Sequence, residues 1–263
     1  MTGRLYKGDP LAPEEREEFE ADLISLCDHE LDLLGDIRGL DILYAGGSSL
    51  LWIEGLSQRI GVGGSLTALD LDEERVEAAR EHLEEADLAA PVSLVAGDIF
   101  RMDFPPGAFD LVYSAGLLHE LDVATRTAEQ ALAALCSVTR RGGRVATSDF
   151  VDTEPAVQLE DEELQAGLAR EGFGAKPYGI GPPERLVGLH KAVLVEVLWR
   201  ISPPRPLRHL DKLVLAEEPG SLSLLTPGTA RGFRERLYTL RERIRREGYS
   251  RPATLYVEGV RGN

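Results

Sequence analysis

The chain has 263 residues, of which 43% are hydrophobic and 28% charged, with a formal net charge of −16. This length and balance suit a soluble globular protein with one sizeable core. The acidic surplus excludes a sequence-independent grip on a phosphate backbone, which needs clustered Lys and Arg, and no run approaches the ~20 apolar residues of a membrane span.

The N-terminal stretch MTGRLYKGDPLAPEEREEFE has no apolar signal core, so a cytoplasmic location is expected. A helix follows, with Phe19, Leu23, Leu26, Leu31 and Leu34 spaced along one face. Leu40 to Ala45 then reads as a strand, Gly46-Gly47-Ser48-Ser49 as a tight turn, and Leu50, Ile53, Leu56 and Ile60 as the apolar face of a helix. A second strand ends at Asp70, and a charged helix after it buries Val76, Ala79 and Leu83. The third strand runs up to Asp98, and the fourth, FDLVYSAG, leads to His119. TAEQALAALCSVTRRGG reads as a helix with a glycine stop, and GRVATSDFV as a fifth strand. Cys27 and Cys136 lie in helical apolar patterns without metal-ligand spacing, which fits buried reduced thiols and no metal site.

Strands separated by helices of this length predict right-handed crossovers and an α/β, doubly wound parallel sheet covered on both faces. Ligands in such a sheet bind outside the carboxyl ends of the strands, where the strand order reverses. The residues placed there are Gly46 to Ser49, Asp70, Asp98, Ser114 to His119, and Ser148 to Asp152.

The motifs ILYAGGSS, LTALDLDEERVEAAREHL, VSLVAGDIFRMDFPPGAFDLVYSAGLLHEL and LCSVTRRGGRVATSDF, in this order, resemble those of the class I methyltransferases that use S-adenosylmethionine (SAM). The resemblance covers the first ~150 residues, and the terminal RPATLYVEGV looks like that fold's antiparallel last strand. It implies a mostly parallel seven-stranded sheet, SAM as methyl donor and S-adenosylhomocysteine as product. By the same resemblance, Gly46 and Gly47, flanked by Ala45 and Ser48, would line the methionine and ribose part of the cofactor. Asp70 would hold the ribose hydroxyls, with Leu71 on the adenine. Asp98 would accept from the adenine amino group, with Ile99 on the other face, and Ser114 and Ala115 would face the sulfonium. Tyr44 stands where the family carries an acid, and Ser48 and Leu50 where it carries later glycines. A nicotinamide site is disfavoured, because AGGSSL does not supply Gly-x-Gly-x-x-Gly.

His119, just beyond the fourth strand, is the candidate base for an acceptor that must lose a proton; capping or packing of the next turn is its structural alternative. The acceptor is expected to be a small, partly apolar metabolite. Nucleic acid is disfavoured by charge and by SAGLL in place of an Asn/Asp-Pro-Pro-aromatic tetrapeptide. The second reading is a SAM-fold protein that no longer methylates: a regulatory or scaffolding subunit, or an enzyme of another reaction type.

The organisation expected is an N-terminal helical segment (1–38), a SAM-binding core (39–152), a helical insertion or substrate cap (153–228), and a C-terminal helix with the last strand (229–263). Within the insertion, PPERLVGLHKAVLVEVLWRISPP reads as one helix over 184–201, apolar around most of its circumference. Such a helix must be covered, as core, as a lid over substrate, or as the face of a homodimer. FRERLYTLRERIRREG reads as a basic amphipathic helix with Phe233, Leu237, Leu240 and Ile244 as its buried stripe.

Overall fold

The computed structural model describes residues 4–5, 10–121, 127–152, 156–173 and 181–262. The approach to the expected helix over 184–201, which Tyr178 and the glycines of KPYGIGPP predict to be flexible, lies outside these residues up to residue 180. β1 (Arg4–Leu5) is a short ribbon that pairs with β8 (Glu218–Pro219). α1 (Pro13–Asp32) opens on a proline, with the Glu15 carboxylate accepting the Ala12 N–H at 3.1 Å, and buries Phe19, Leu26 and Leu31. Proline suits this position because the first helical N–H has no intrahelical partner. Then follow β2 (Asp41–Ala45), α2 (Leu50–Ile60), β3 (Ser65–Asp70), α3 (Glu73–Leu83), β4 (Val92–Ala96), β5 (Phe109–Ala115), α4 (Ala128–Val138) and β6 (Thr139–Phe150). The remainder comprises α5 (Ala156–Phe173), α6 (Pro183–Val193), β7 (Val195–Ser202), α7 (Leu210–Ala216), β8, α8 (Pro227–Glu247) and β9 (Thr254–Val260).

One seven-stranded sheet runs in the order β4-β3-β2-β5-β6-β9-β7. The first five strands are mutually parallel, and β9 is antiparallel to both β6 and β7. The strand order reverses between β2 and β5, so the crevice expected of a doubly wound sheet opens there. Alternation along the strands divides the core. Ile42, Tyr44, Leu66, Tyr113, Ala146 and Tyr256 pack under α1 and α2, whereas Leu43, Ala45, Val112, Val145 and Leu255 pack against α4 and α6. The stripe Val76, Ala79 and Leu83 is buried as its spacing predicts.

The expected single helix over 184–201 is corrected. Only Pro183–Val193 is helical; Val195–Ser202 is the sheet's edge strand beside β9. Val195, Val197, Trp199 and Ile201 are β-branched or aromatic and favour a pleated surface, and β9 offers them a ladder. Leu186, Val187 and His190 of α6 are buried, while Val195, Leu198, Trp199 and Ile201 are about half-exposed on the edge. A lid or a dimer face made of one helix over 184–201 therefore does not exist. The expected helical insertion is corrected with it, because it supplies the edge strand of the main sheet.

The helix expected to run to a glycine stop is shorter than its pattern. α4 ends at Val138, and Thr139 begins β6, with its hydroxyl donating back to the Leu135 carbonyl at 2.9 Å. Gly142 and Gly143 lie inside β6, where a Cβ on Gly143 would stand 2.8 Å from the Asp110 carbonyl oxygen. A third cluster joins α5, α7 and α8 through Val157, Leu164, Leu168, Val214, Leu237, Leu240 and Ile244. Among the described residues no helix is long and apolar enough to cross a membrane.

Candidate cofactor and acceptor site

The carboxyl ends of β2, β3, β4, β5 and β6, which lie on one side of the parallel part of the sheet, carry the residues singled out by sequence. Gly46 follows β2 with φ +75°, a left-handed conformation that glycine adopts without strain, and its N–H donates to the Leu69 carbonyl at 2.7 Å. A Cβ at Gly46 would stand 2.5 Å from Leu117 Cδ1. The loop after β2 and the loop after β5 therefore close on each other through a missing side chain. Gly47 has a different neighbour: a Cβ there would overlap the Tyr44 ring and hydroxyl. Tyr44 is buried and stacks on Tyr113 with centroids 5.8 Å apart and planes 19° apart. The aromatic ring that replaced the expected acid thus carries the loop above it. Ala45 is fully buried in the sheet, and Ser48 is half-buried just before the helix cap, Ser49.

At the end of β3, Asp70 is half-buried and its Oδ1 accepts the Asp72 N–H at 3.0 Å. Beside it Leu71 is 68% exposed, an apolar side chain offered to solvent at a strand end. Asp98 caps the 3-10 turn Ile99–Arg101 by accepting the Phe100 N–H at 3.0 Å. Ile99 is only 7% exposed and sits in the core cluster with Leu69 and Leu118, so it offers a ligand an edge rather than a face.

Beyond β5 and β6 the polarity turns inward. Ser114 is fully buried with its Oγ unpaired, Ala115 is half-buried after it, and Ser148 Oγ is likewise unpaired. Buried hydroxyls normally find a partner, so two orphans at the strand ends mark places where a ligand atom or water completes the bonding. These orphans, the half-buried Asp70 and the exposed Leu71 are a set whose chemistry fits SAM: a carboxylate able to accept from hydroxyls, an apolar side chain and small residues.

His119 lies in the turn Leu118–Glu120 and is buried. Its Nδ1 is 3.0 Å from Asp149 Oδ1, and the same oxygen accepts the His119 main-chain N–H at 3.2 Å. The ring packs on Phe150 with centroids 4.8 Å apart, and a Cβ on Gly116 would stand 3.2 Å from its Cε1. Burial pushes the Asp149 carboxyl above the usual carboxylate range, and the His119 ring pulls it back. On α5, burial pushes Glu162 up to about 7, opposed by the His119 charge and reinforced by Asp152 and Asp161. Behind the ring, Arg251 lies 5.0 Å from the Phe150 centroid and 3.2 Å from Glu30, a buried α1 carboxylate that burial raises and Arg251 lowers.

Sequence reasoning placed Ser148 to Asp152 at a strand end without singling out Asp149. The available signal was a charged residue within VATSDFV, a run whose burial as a sheet strand leaves an acid in the core. Leu117, Tyr113 and Glu162 carried no such signal, because their roles depend on which elements face them.

Residues 42–143 match the family model described as "Methyltransferase domain". The ubiquinone/menaquinone biosynthesis C-methyltransferase UbiE of Idiomarina loihiensis is 28% identical over 137 residues, which are 49% of this chain and 52% of that protein. The chain thus spans about half the length of the curated relatives it matches. Among solved structures, the YcgJ protein of Bacillus subtilis aligns with a TM-score of 0.61 at 14% identity, covering 91% of this chain and 99% of that one. A geranyl diphosphate methyltransferase in complex with SAM aligns with a TM-score of 0.55 at 15% identity, covering 97% and 93%. At such identities these likenesses speak for the fold, and the domain match speaks for residues 42–143. Residues 42–143 are thus similar to a methyltransferase domain, and they lie on a sheet whose strand order and strand-end loops suit that likeness.

Proposed function

We propose that this protein transfers a methyl group from SAM to a small, partly apolar metabolite. The observation that carries the proposal is the pair at the end of β3: a half-buried carboxylate, Asp70, beside a leucine left 68% exposed. Exposing a large apolar side chain at a strand end is costly unless something apolar covers it, and a carboxylate beside it accepts two hydroxyl hydrogen bonds. Bound SAM supplies an activated methyl on a sulfonium, so the chain itself needs to bind, orient and exclude water. In this reading Gly46, Gly47, Ala45 and Ser48 leave room for the chain of the cofactor, Asp70 holds hydroxyls, and Leu71 and Ile99 supply apolar contact. Asp98 accepts from an amino group, and Ser114 and Ala115 flank the reacting end. His119 at the mouth takes a proton from the acceptor. The net charge of −16 supports a small-molecule acceptor over nucleic acid.

One observation favours the second reading, a SAM-fold protein that no longer methylates. Both loop glycines have partners within the chain, Leu117 over Gly46 and Tyr44 under Gly47. Calorimetry with SAM and S-adenosylhomocysteine separates the two. Micromolar affinity for both is the expected result for the enzyme, and no detectable binding of either would support the non-methylating reading.

A further inference from the structure

We propose that the edge strand β7 is a self-association surface, on which a second copy of this chain adds its own β7 antiparallel, centred on Leu198. This holds whether or not the protein transfers methyl groups. β7 (Val195–Ser202) is the last strand of the seven-stranded sheet and pairs only with β9 among the described residues. An edge strand leaves alternate main-chain N–H and C=O groups without a ladder partner. Val193, Val195, Leu198, Trp199 and Ile201 are each 41–51% exposed along it, whereas the other exposed large apolar side chains among the described residues lie singly along the chain. At the opposite edge of the sheet, Val92, Leu94 and Val95 of β4 are half-buried. Contiguous exposed apolar surface marks an interaction site, and a single exposed side chain does not.

The order of residues along the strand points to what covers it. From Val195 to Ile201 the chain reads VEVLWRI, with Glu196 and Arg200 two residues to either side of Leu198. In an antiparallel pair with a two-fold axis at Leu198, that leucine meets its own copy. Val197 then meets Trp199 of the second copy, and Glu196 meets Arg200 of the second copy, each pair occurring twice. Charge on an edge strand ordinarily blocks pairing with another chain. Here the two charges are opposite in sign and symmetric about Leu198, so each meets its complement. Both side chains are exposed, and neither has an ion-pair partner among the described residues. Glu196 stands where β7 slips against β9, at φ +51°, a left-handed conformation uncommon for a residue other than glycine. Such a slip bends the strand, and both charged side chains are long enough to meet across the bend.

Area sets the strength. Half-exposed, the five apolar side chains offer on the order of 400 Å² per copy, against the ~800 Å² per partner of a standard interface. The charge pairs and the main-chain ladder add to this, so association is expected in the micromolar range rather than as an obligate dimer. The net charge of −16 on each copy works against association when salt is low.

The test uses the full chain in sedimentation velocity, from about 1 to about 200 µM at about 0.15 M salt. The wild type is expected to pass reversibly from monomer to dimer as its concentration rises. Arg200→Glu sets glutamate opposite glutamate, and Glu196→Arg sets arginine opposite arginine. Each variant alone is expected to dimerise roughly tenfold or more weakly, with an unchanged melting temperature because both side chains are exposed. Mixed in equal amounts, the two variants carry complementary charges in both pairs and are expected to regain the wild-type affinity as a heterodimer. A wild type that stays monomeric throughout the range would overturn the proposal. So would a dimer that neither variant weakens, or one that mixing fails to restore. If a variant does not fold, the wild type decides through Trp199, since Trp52 is already buried. A blue shift of tryptophan emission over the same concentrations supports the pairing, and constant emission overturns it.

Discussion

The two halves of the crevice are built on opposite principles. At the ends of β2 and β3 the side chains singled out stand near the surface: Asp70 is half-buried, Leu71 is exposed, and the loop after β2 is backbone and small residues. At the ends of β5 and β6 they lie inside: Ser114, Ser148, Asp149 and His119 are all under a tenth exposed. An exposed group can be removed without leaving a hole, so the first half can be tuned for affinity at little cost in stability. A buried polar group is strong only when satisfied and costly when not, so the second half couples chemistry to folding. Tyr44 lies beneath the boundary, with its ring on Tyr113 and its edge under Gly47. It belongs structurally to the second half although it precedes the loop of the first.

Four experiments break or sharpen this contrast. The largest effect is expected at the boundary. Tyr44→Ala removes a fully enclosed ring and should cost about 3–5 kcal/mol of stability, lowering the melting temperature by roughly 10 °C. A loss under about 1 kcal/mol would mean that Tyr44 is no part of the core. The next effect is confined to the exposed half. Asp70→Ala should weaken SAM by about 2–4 kcal/mol, roughly 30- to 1000-fold, while thermal stability stays within about 0.5 kcal/mol. Calorimetry beside thermal unfolding reads both, and an unchanged dissociation constant removes Asp70 from the site.

The third experiment tests the buried half by pH. His190 bonds Thr147 Oγ1 at 3.1 Å and the Leu186 carbonyl at 2.9 Å, and burial lowers its pKa from 6.5 to about 4. The unfolded chain therefore binds the proton first, so stability is full above about pH 6.5 and is lost as the pH falls toward 4. The loss should be roughly 2 kcal/mol between pH 7 and pH 5. Urea titrations of the wild type and His190→Gln at both pH values measure it, and an equal pH dependence in the two would assign it elsewhere. The smallest effect is expected for Leu71→Ala. Cofactor affinity should drop by about tenfold or less, near 1 kcal/mol, with no change in melting temperature; a destabilised variant would show that Leu71 packs within the chain.

Sequence legibility followed the reach of the interactions. Periodicity places Ile53, Leu56 and Ile60, or Val76, Ala79 and Leu83, because a helix of known pitch touching one sheet needs only its own spacing. The same logic misassigned 184–201. Leu186, Val187 and His190 form a helical stripe, and the β-branched run after Leu194 continues it without a break in hydrophobicity. Only the free edge of β9, contributed from more than 50 residues downstream, turns that run into a strand. The site divides in the same way. Gly46, Asp70 and Ser114 are legible as strand ends, whereas the Leu117 contact with Gly46 and the Asp149 contact with His119 join elements that sequence alone leaves apart.

The sequence by itself determined the alternation of strands and helices, the five parallel strands, and the strand-end positions from Gly46 to His119. Each follows from local pitch, turn chemistry and crossover handedness. Tertiary structure alone decided the edge strand β7, the conversion of the Tyr44 ring into a support for the glycine loop, and the burial of Asp149 against the His119 ring. These depend on contacts across 30 to 70 residues of chain, where packing, desolvation and hydrogen bonding outweigh any preference of the local segment.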